Sequence, residues 1–458
     1  MSTRDPSPAG ARWVEPAFAA AVVAAVAWCV WFLFFNHYLP QPFLYDKSDT
    51  FGDWFNTATW ARDNGAYDSW NTVYPPLSFV FLRLIGVNRC YSTPSIDGLL
   101  AELRVCDWVG LSAIWLIFTL NIVLLWRAFR KIDPKTALPR TICVGLGMPM
   151  LDGLERGNLM LITFTCLILA LGPILRSARL RWVFAGLAVN FKIYLIAAII
   201  PLLLKRRWRW VECALISVVL VYMVSYAILG HGTPLEVINN VTDFSSGIID
   251  NILDIWHATT YGPLMSLLTL GNFPATFFIG SKNVDAMIFV LPILQHSTQL
   301  LILAAAASAW MRPEVVPTYR VINIGLLFAM TTQDVGMYSI AYFMFFVMME
   351  PWRGVGRRLA IVLCYVLALP LDIHLAGLPS TAVDLYFGNY RGYVDNYVVL
   401  SPFIRPFIIM VIAVALSLTT IVEVWKDIRF QGWAGRWRLR RDAPLLPGVR
   451  RPAPWGAE

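Results

Sequence analysis

Within the stretch YDKSDTFGDW, residues 45–54, three carboxylates, Asp46, Asp49 and Asp53, fall within eight positions of a chain whose charged fraction is only 14%. A carboxylate gathered beside a hydrophobic segment is placed to take the proton of an attacking hydroxyl. For any single one of them, a solvated turn with an N-capping Asp is the plainer explanation. Other ionisable groups stand inside apolar runs, where an unpaired charge costs roughly 2.5–3.5 kcal/mol on insertion scales. The chief of these are Arg156 in GLERGN and Lys192 in NFKIY. Two cations on one side of a membrane would hold a phosphate. Against that, Glu155 is available to pair with Arg156, and the Lys192 stem is long enough to snorkel. His257, in DIWHATTYGPL, follows an acidic loop, whereas His37, His231, His296 and His374 show no metal-pair spacing.

These groups must be positioned by membrane helices. The chain has 458 residues, 58% of them hydrophobic, and a mean hydropathy of +0.60, which belongs to the membrane class. Runs at 17–35, 108–126, 210–230, 286–311, 358–377 and 403–425 are each near the length of about 20 residues needed to cross a bilayer. The first lacks a small-residue cleavage site behind it and reads as a retained span. Segments 141–175, 182–204 and 321–350 carry Lys/Arg clusters at both flanks. If basic loops stay cytoplasmic, each must go in and return as a helical hairpin. Polar DGLERGN (152–158), NFK (190–192) and TTQD (331–334) mark the three turns. The second is short for two full crossings, so it dips part way with its broken backbone in protein or a cavity.

The expected organisation is an all-α polytopic protein of about 12 transmembrane or re-entrant helices. A cytoplasmic N-terminus covers 1–16, a membrane domain 17–425 with external loops at 36–105 and 231–285, and a basic cytoplasmic tail 426–458. Within 231–261 the acids Glu236, Asp243, Asp250 and Asp254 meet no Lys or Arg, as an external loop requires. The first loop holds DWFNTATWARDNGAY, which reads as an amphipathic surface helix, and PPLSFVFLRLIG, an apolar helix with Pro at its start. No internal repeat is visible.

The net charge of +8 lies in clusters between apolar runs and in the tail, which reads as membrane anchoring and not as nucleic-acid binding. None of the seven cysteines forms a C-x-x-C pair, no cofactor is indicated, and a divalent metal has no supporting ligand pattern. Cys90 and Cys106 alone share one polar loop and are the candidate disulfide, able to form only on an oxidising side. No P-loop or dinucleotide fingerprint occurs.

The order of an acid-bearing first loop, GAYDSWNTVYPPLSF, ERGNLMLITF and GLAVNFKIYLIAAIIPLLLKRRWR resembles the membrane glycosyltransferases of GT-C architecture. The nearest likeness is to glycosyltransferase family 87, which includes polyprenyl-phosphate-mannose-dependent mannosyltransferases. FKIY is also similar to the catalytic subunit of GPI mannosyltransferase I. The likeness runs over roughly residues 45–350. It implies inverting transfer of a mannose or another hexose or pentose from a polyprenyl-phosphate donor to a lipid-linked or glycan acceptor. The reaction would lie on the non-cytoplasmic face, in a bacterial inner (plasma) membrane with the site facing the periplasm or exterior. A first-loop aspartate would be the general base. In such relatives the base precedes the Tyr ending the loop helix by about five turns, which Asp49, eighteen residues before Tyr67, fits better than Asp53, fourteen before. Arg156 and Lys192 would bind the donor phosphate, with Asn158, Tyr74, His257, Asp334 and Tyr338 as substrate-binding groups. Relatives often carry a His motif where this chain reads AMTTQDVGMYSIAYF, so either Asp334 or Tyr338 replaces it or the role is absent. Two rival readings are a transporter or flippase of lipid-linked sugars and a polysaccharide polymerase or ligase.

Overall fold

The computed structural model describes residues 11–43, 47–63, 65–91, 99–245, 255, 257–270, 275–388 and 390–433. Asp46, Asp250, Asp254, residues 1–10 of the N-terminus and the tail beyond Trp433 lie outside them. Helix α1 (Ala11–Asn36) enters the first long loop, where α2 (Gly52–Trp60), α3 (Pro76–Ile85) and α4 (Leu99–Cys106) precede α5 (Trp108–Ile132). A limb broken into α6 (Ala137–Gly145) and α7 (Met148–Glu155) returns as α8 (Met160–Leu171). Helix α9 (Ala178–Phe191) returns through a run of 3-10 turns over 193–205 that contains α10 (Ile196–Ile199). Helix α11 (Trp208–Leu229) leads to a second loop with α12 (Pro234–Ser245), α13 (Gly262–Leu270) and α14 (Ala275–Ile279), and then α15 (Ser281–Met311). Helix α16 (Thr318–Thr332) returns as α17 (Ile340–Val347), and α18 (Val355–Ala368), an antiparallel hairpin of β1 (His374–Asp384) and β2 (Arg391–Val399), and α19 (Ser401–Gln431) complete the chain. The architecture is that of an all-α polytopic membrane protein.

Helices α1, α5, α11, α15 and α19 are long and apolar enough to cross a bilayer, and much of each apolar stretch stays unburied by protein. That is the signature of lipid-facing helices. The returning limbs are the opposite: every residue of α17, IAYFMFFV, is buried, as are most of α8. A helix apolar all round must be covered all round, and eight to twelve residues rise only about 12–18 Å. They form the core around which the long helices stand.

Buried charge pairs tie one end of the bundle together. Arg140 grips Glu15 at the start of α1 and reaches the carbonyls of Met348 and Glu350 beyond α17. Arg320 makes a two-bond contact with Glu350, both at 2.6 Å, and a third bond to Glu423 of α19. Lys131 holds the carbonyls of Pro173 and Ile174, Arg181 those of Ala170 and Gly172, and Lys205 that of Val316. Forked, mutually satisfied bonds of this kind are what make such burial tolerable. They also put both ends of each helical hairpin at the basic end, with the turns at the other.

One expected span is corrected. The run 358–377 is helical only to Ala368, and His374 already begins a strand. Pro370 has no amide to continue the helix and restricts the residue before it. The β-hairpin that follows packs on the α1 exit: the Tyr386 amide donates to the His37 carbonyl at 2.7 Å, and Gln41 exchanges two 3.1 Å bonds with the Tyr397 backbone. The amphipathic segment after Asp53 is helical only over Gly52–Trp60, burying Trp54, Phe55, Thr57 and Ala58. Cys90 and Cys106 are joined, with Cα atoms 5.8 Å apart.

Candidate active site

The three hairpin turns and the first loop meet at one place. Helix α2 docks on the α7–α8 turn through its backbone: the Phe51 amide donates to the Glu155 carbonyl at 2.8 Å and the Asp53 amide to the Arg156 carbonyl at 3.1 Å. Gly157 makes this docking sterically feasible. Its φ is +62°, and a Cβ there would lie 3.1 Å from both Phe51 Cα and Trp54 Cβ, so the turn requires a residue without one.

The side chains follow from that backbone register. Arg156 presents Nε to Asp53 Oδ2 at 3.1 Å and Nη2 to Oδ1 at 3.2 Å. Asn158 donates to the same Oδ2 at 2.6 Å, while its own Oδ1 accepts the Met160 amide at the start of α8. The Asn158 amide group also lies 3.4 Å from the Tyr74 hydroxyl. Lys192, ending α9, sets its ammonium 4.6 Å from the Tyr74 ring centre and 5.3 Å from that of Tyr338, a cation–π arrangement. Asp53, Arg156, Asn158, Tyr74, Lys192 and Tyr338 thus converge from four separate parts of the chain. Arg156 pairs with Asp53 and not with its sequence neighbour Glu155.

Both partners of the ion pair keep 22% of their side-chain surface open. Burial acts to raise the Asp53 pKa, but the Arg156 charge, the bonds from Arg156 and Asn158 and the Lys192 charge outweigh it and hold the carboxyl below its ordinary range. His257 faces the same group. Burial first, then the charges of Arg156 and Arg405, push its pKa well down, so the imidazole is neutral at neutral pH.

Asp334 and Asp49 stand apart from the ion pair. Asp334 Oδ1 accepts from the Thr259 amide at 2.7 Å, the Thr259 hydroxyl at 2.6 Å and the Thr260 amide at 3.3 Å. It pins the segment that carries His257, which Arg405 holds from the other side through the Ala258 carbonyl at 3.1 Å. Asp49 closes the exposed 3-10 turn Lys47–Asp49, which Arg104 brackets by donating to the Lys47 carbonyl and to that of Thr50 just beyond it. The sequence reading passed over Asp152 and Arg405. The signal was present, since Arg405 stands in the apolar SPFIRPFIIM, and Asp152 and Glu155 lie three apart on one helical face. Among the described residues, no group of three or more His, Cys, Asp or Glu is placed to hold a metal ion.

Compared with known proteins, the sequence model of glycosyltransferase family 87 matches residues 73–332. That interval contains Tyr74, Arg156, Asn158, Lys192 and His257 and ends before Asp334 and Tyr338. No curated protein and no solved structure matches the chain.

Proposed function

The chain belongs to glycosyltransferase family 87, and from that premise we propose that this integral membrane glycosyltransferase uses a polyprenyl-phosphate-linked hexose or pentose as donor. The acceptor is a lipid-linked or glycan hydroxyl. Its oxygen attacks the anomeric carbon, the bond from that carbon to the phosphate oxygen breaks with its electron pair leaving on phosphate, and the hydroxyl proton passes to the Asp53 carboxylate. The configuration inverts.

The observation that carries this reading is the Asp53–Arg156 fork beside the Lys192 ammonium. Departure of the lipid phosphate adds one negative charge to it, and fixed cations aimed at developing charge stabilise the transition state. Arg156 uses its Nε and Nη2 edge for Asp53, which leaves Nη1 for a phosphate oxygen and sets base and leaving group on either side of one guanidinium. Lys192 makes no ion pair among the described residues, so its charge is available to the phosphate. These contacts favour Asp53 over the exposed Asp49 as base. Asn158 orients the base, Tyr74 and Tyr338 flank the donor, and neutral His257 offers a hydrogen bond to sugar or acceptor. An aspartate of the first external loop as base is what the GT-C resemblance implies.

We assign the reaction to the non-cytoplasmic face, with residues 1–16 and 426–458 cytoplasmic. The support is the disulfide in the site-bearing loop, which needs an oxidising side, and the basic clusters at the opposite end. A bacterial inner membrane with the site facing the periplasm or exterior fits both. The test is mass spectrometry of products from the purified protein in nanodiscs, supplied with polyprenyl-phosphate hexoses and pentoses and with lipid and glycan acceptors. Sugar transferred with loss of the lipid phosphate is the expected product. Lipid-linked sugar moved across the bilayer unchanged, or transfer from a lipid pyrophosphate only, would overturn the proposal.

A further inference from the structure

Helix α7 carries two acids that the reaction above does not use. Asp152 is fully buried and Glu155 is 8% exposed, and none of their four carboxyl oxygens makes a hydrogen bond. The Tyr338 amide approaches Asp152 without reaching hydrogen-bonding geometry. The one cation adjacent in sequence, Arg156, has turned its fork to Asp53. Folding leaves these acceptors stranded in the interior, where an unmet carboxyl is among the costlier things a protein can bury. Buried polar groups left without a hydrogen bond are few in a folded protein, and each calls for a functional or solvent explanation.

Their place in the fold says what would meet them. Both carboxyls lie within electrostatic reach of Asp53 and Arg156, and Glu155 within reach of Asp49 as well. They lie next to the ion pair in the chain: the Glu155 carbonyl, ending α7, accepts the Phe51 amide, and the carbonyl of the following Arg156 accepts the Asp53 amide. A ligand group that enters there must offer several hydrogen-bonding atoms to satisfy two carboxyls that the fold leaves unmet. Neighbouring hydroxyls of a sugar ring satisfy that condition, each pair spanning the two oxygens of one carboxyl. We propose that Asp152 and Glu155 form the subsite for the hydroxyls of the transferred sugar, which would favour the sugar-bearing lipid over the bare lipid phosphate. This rests on the polyprenyl-phosphate reading above.

The test compares binding of two probes to full-length protein in nanodiscs: a polyprenyl-phosphate hexose and the same polyprenyl phosphate without sugar. In the wild type the sugar should strengthen binding. Asp152→Asn and Glu155→Gln, each read separately, should weaken the hexose-bearing lipid at least about tenfold and leave the bare lipid within about twofold. Because each change removes a stranded buried acid, the thermal midpoint without ligand should hold steady or rise, whereas a structural role would lower it. Equal loss for both lipids, or an undiminished gain from the sugar in both variants, overturns the subsite. So does a donor affinity that appears only with added Mg2+ or Mn2+, which would make the acids metal ligands. Failure of the wild type to bind either lipid sinks the polyprenyl-phosphate reading and the subsite together. Equal binding of the two lipids by the wild type sinks the subsite alone.

Discussion

Asp53 is held by the group that would also restrain the leaving phosphate, so its basicity and the donor's charge are linked through Arg156. Asp53→Asn keeps the shape and removes the proton acceptor. Turnover should fall at least about a hundredfold, in line with the roughly 100- to 10,000-fold contribution of general-base catalysis, while donor binding persists. Asp49→Asn, on an exposed turn, should change turnover little, and the reverse ranking in a single-turnover assay would move the base to Asp49. Lys192→Met should weaken donor binding by about 1.5–3 kcal/mol, the range for a charge-assisted hydrogen bond, as read by a binding titration. The lowered Asp53 pKa also has a sign. The group is ionised throughout the neutral range, and its contribution to stability is present above the unfolded value of about 3.9 and lost as pH falls through the folded one. The acid limb of kcat/KM is accordingly expected below the ordinary carboxylate range. A limb at or above about pH 5 would identify a different base.

At the scale of elements, the site depends on the α7–α8 turn accepting α2. Gly157→Ala places a Cβ 3.1 Å from the Phe51 backbone at a positive φ, so it should cost about 1–3 kcal/mol and lower the thermal midpoint, with activity falling through the lost register of Asp53. An unchanged midpoint would mean that the turn relaxes without loss. All three hairpin turns could be read in the sequence because basic clusters at both flanks leave each apolar segment no other topology. The observed helix ends at Phe191 and Thr332 fall within or beside the polar tripeptide and tetrapeptide that marked them. The early end of α18 was missed because hydropathy sums over Pro370, where a single absent amide stops the helix. The β-hairpin after it is held against the α1 exit and the first loop, through His37, Gln41 and Thr50, contacts more than 300 positions away that no local pattern declares.

For the whole molecule, the basic end and the site-bearing end should lie on opposite sides of the membrane. Ser380→Cys on the exposed hairpin is expected to react with an impermeant maleimide from outside the cell, and Lys135→Cys, exposed between α5 and α6, only after permeabilisation. The opposite pattern inverts the assignment. The sequence by itself determined the membrane class, the hairpins, the family likeness and the set from which the site is drawn, because apolar length, Lys/Arg placement and short motifs are local properties that the bilayer acts on directly. It also marked Arg156 and Lys192, since charge in an apolar run needs a reason. Only the tertiary structure decided which acid Arg156 meets. Spacing to Tyr67 favoured Asp49, but Asp53 is the residue whose amide and carboxyl both face the α7–α8 turn, roughly a hundred positions away in the chain. The partners of a charge are set by the packing of helices distant in sequence, and that same packing left the carboxyls of Asp152 and Glu155 buried without a hydrogen bond.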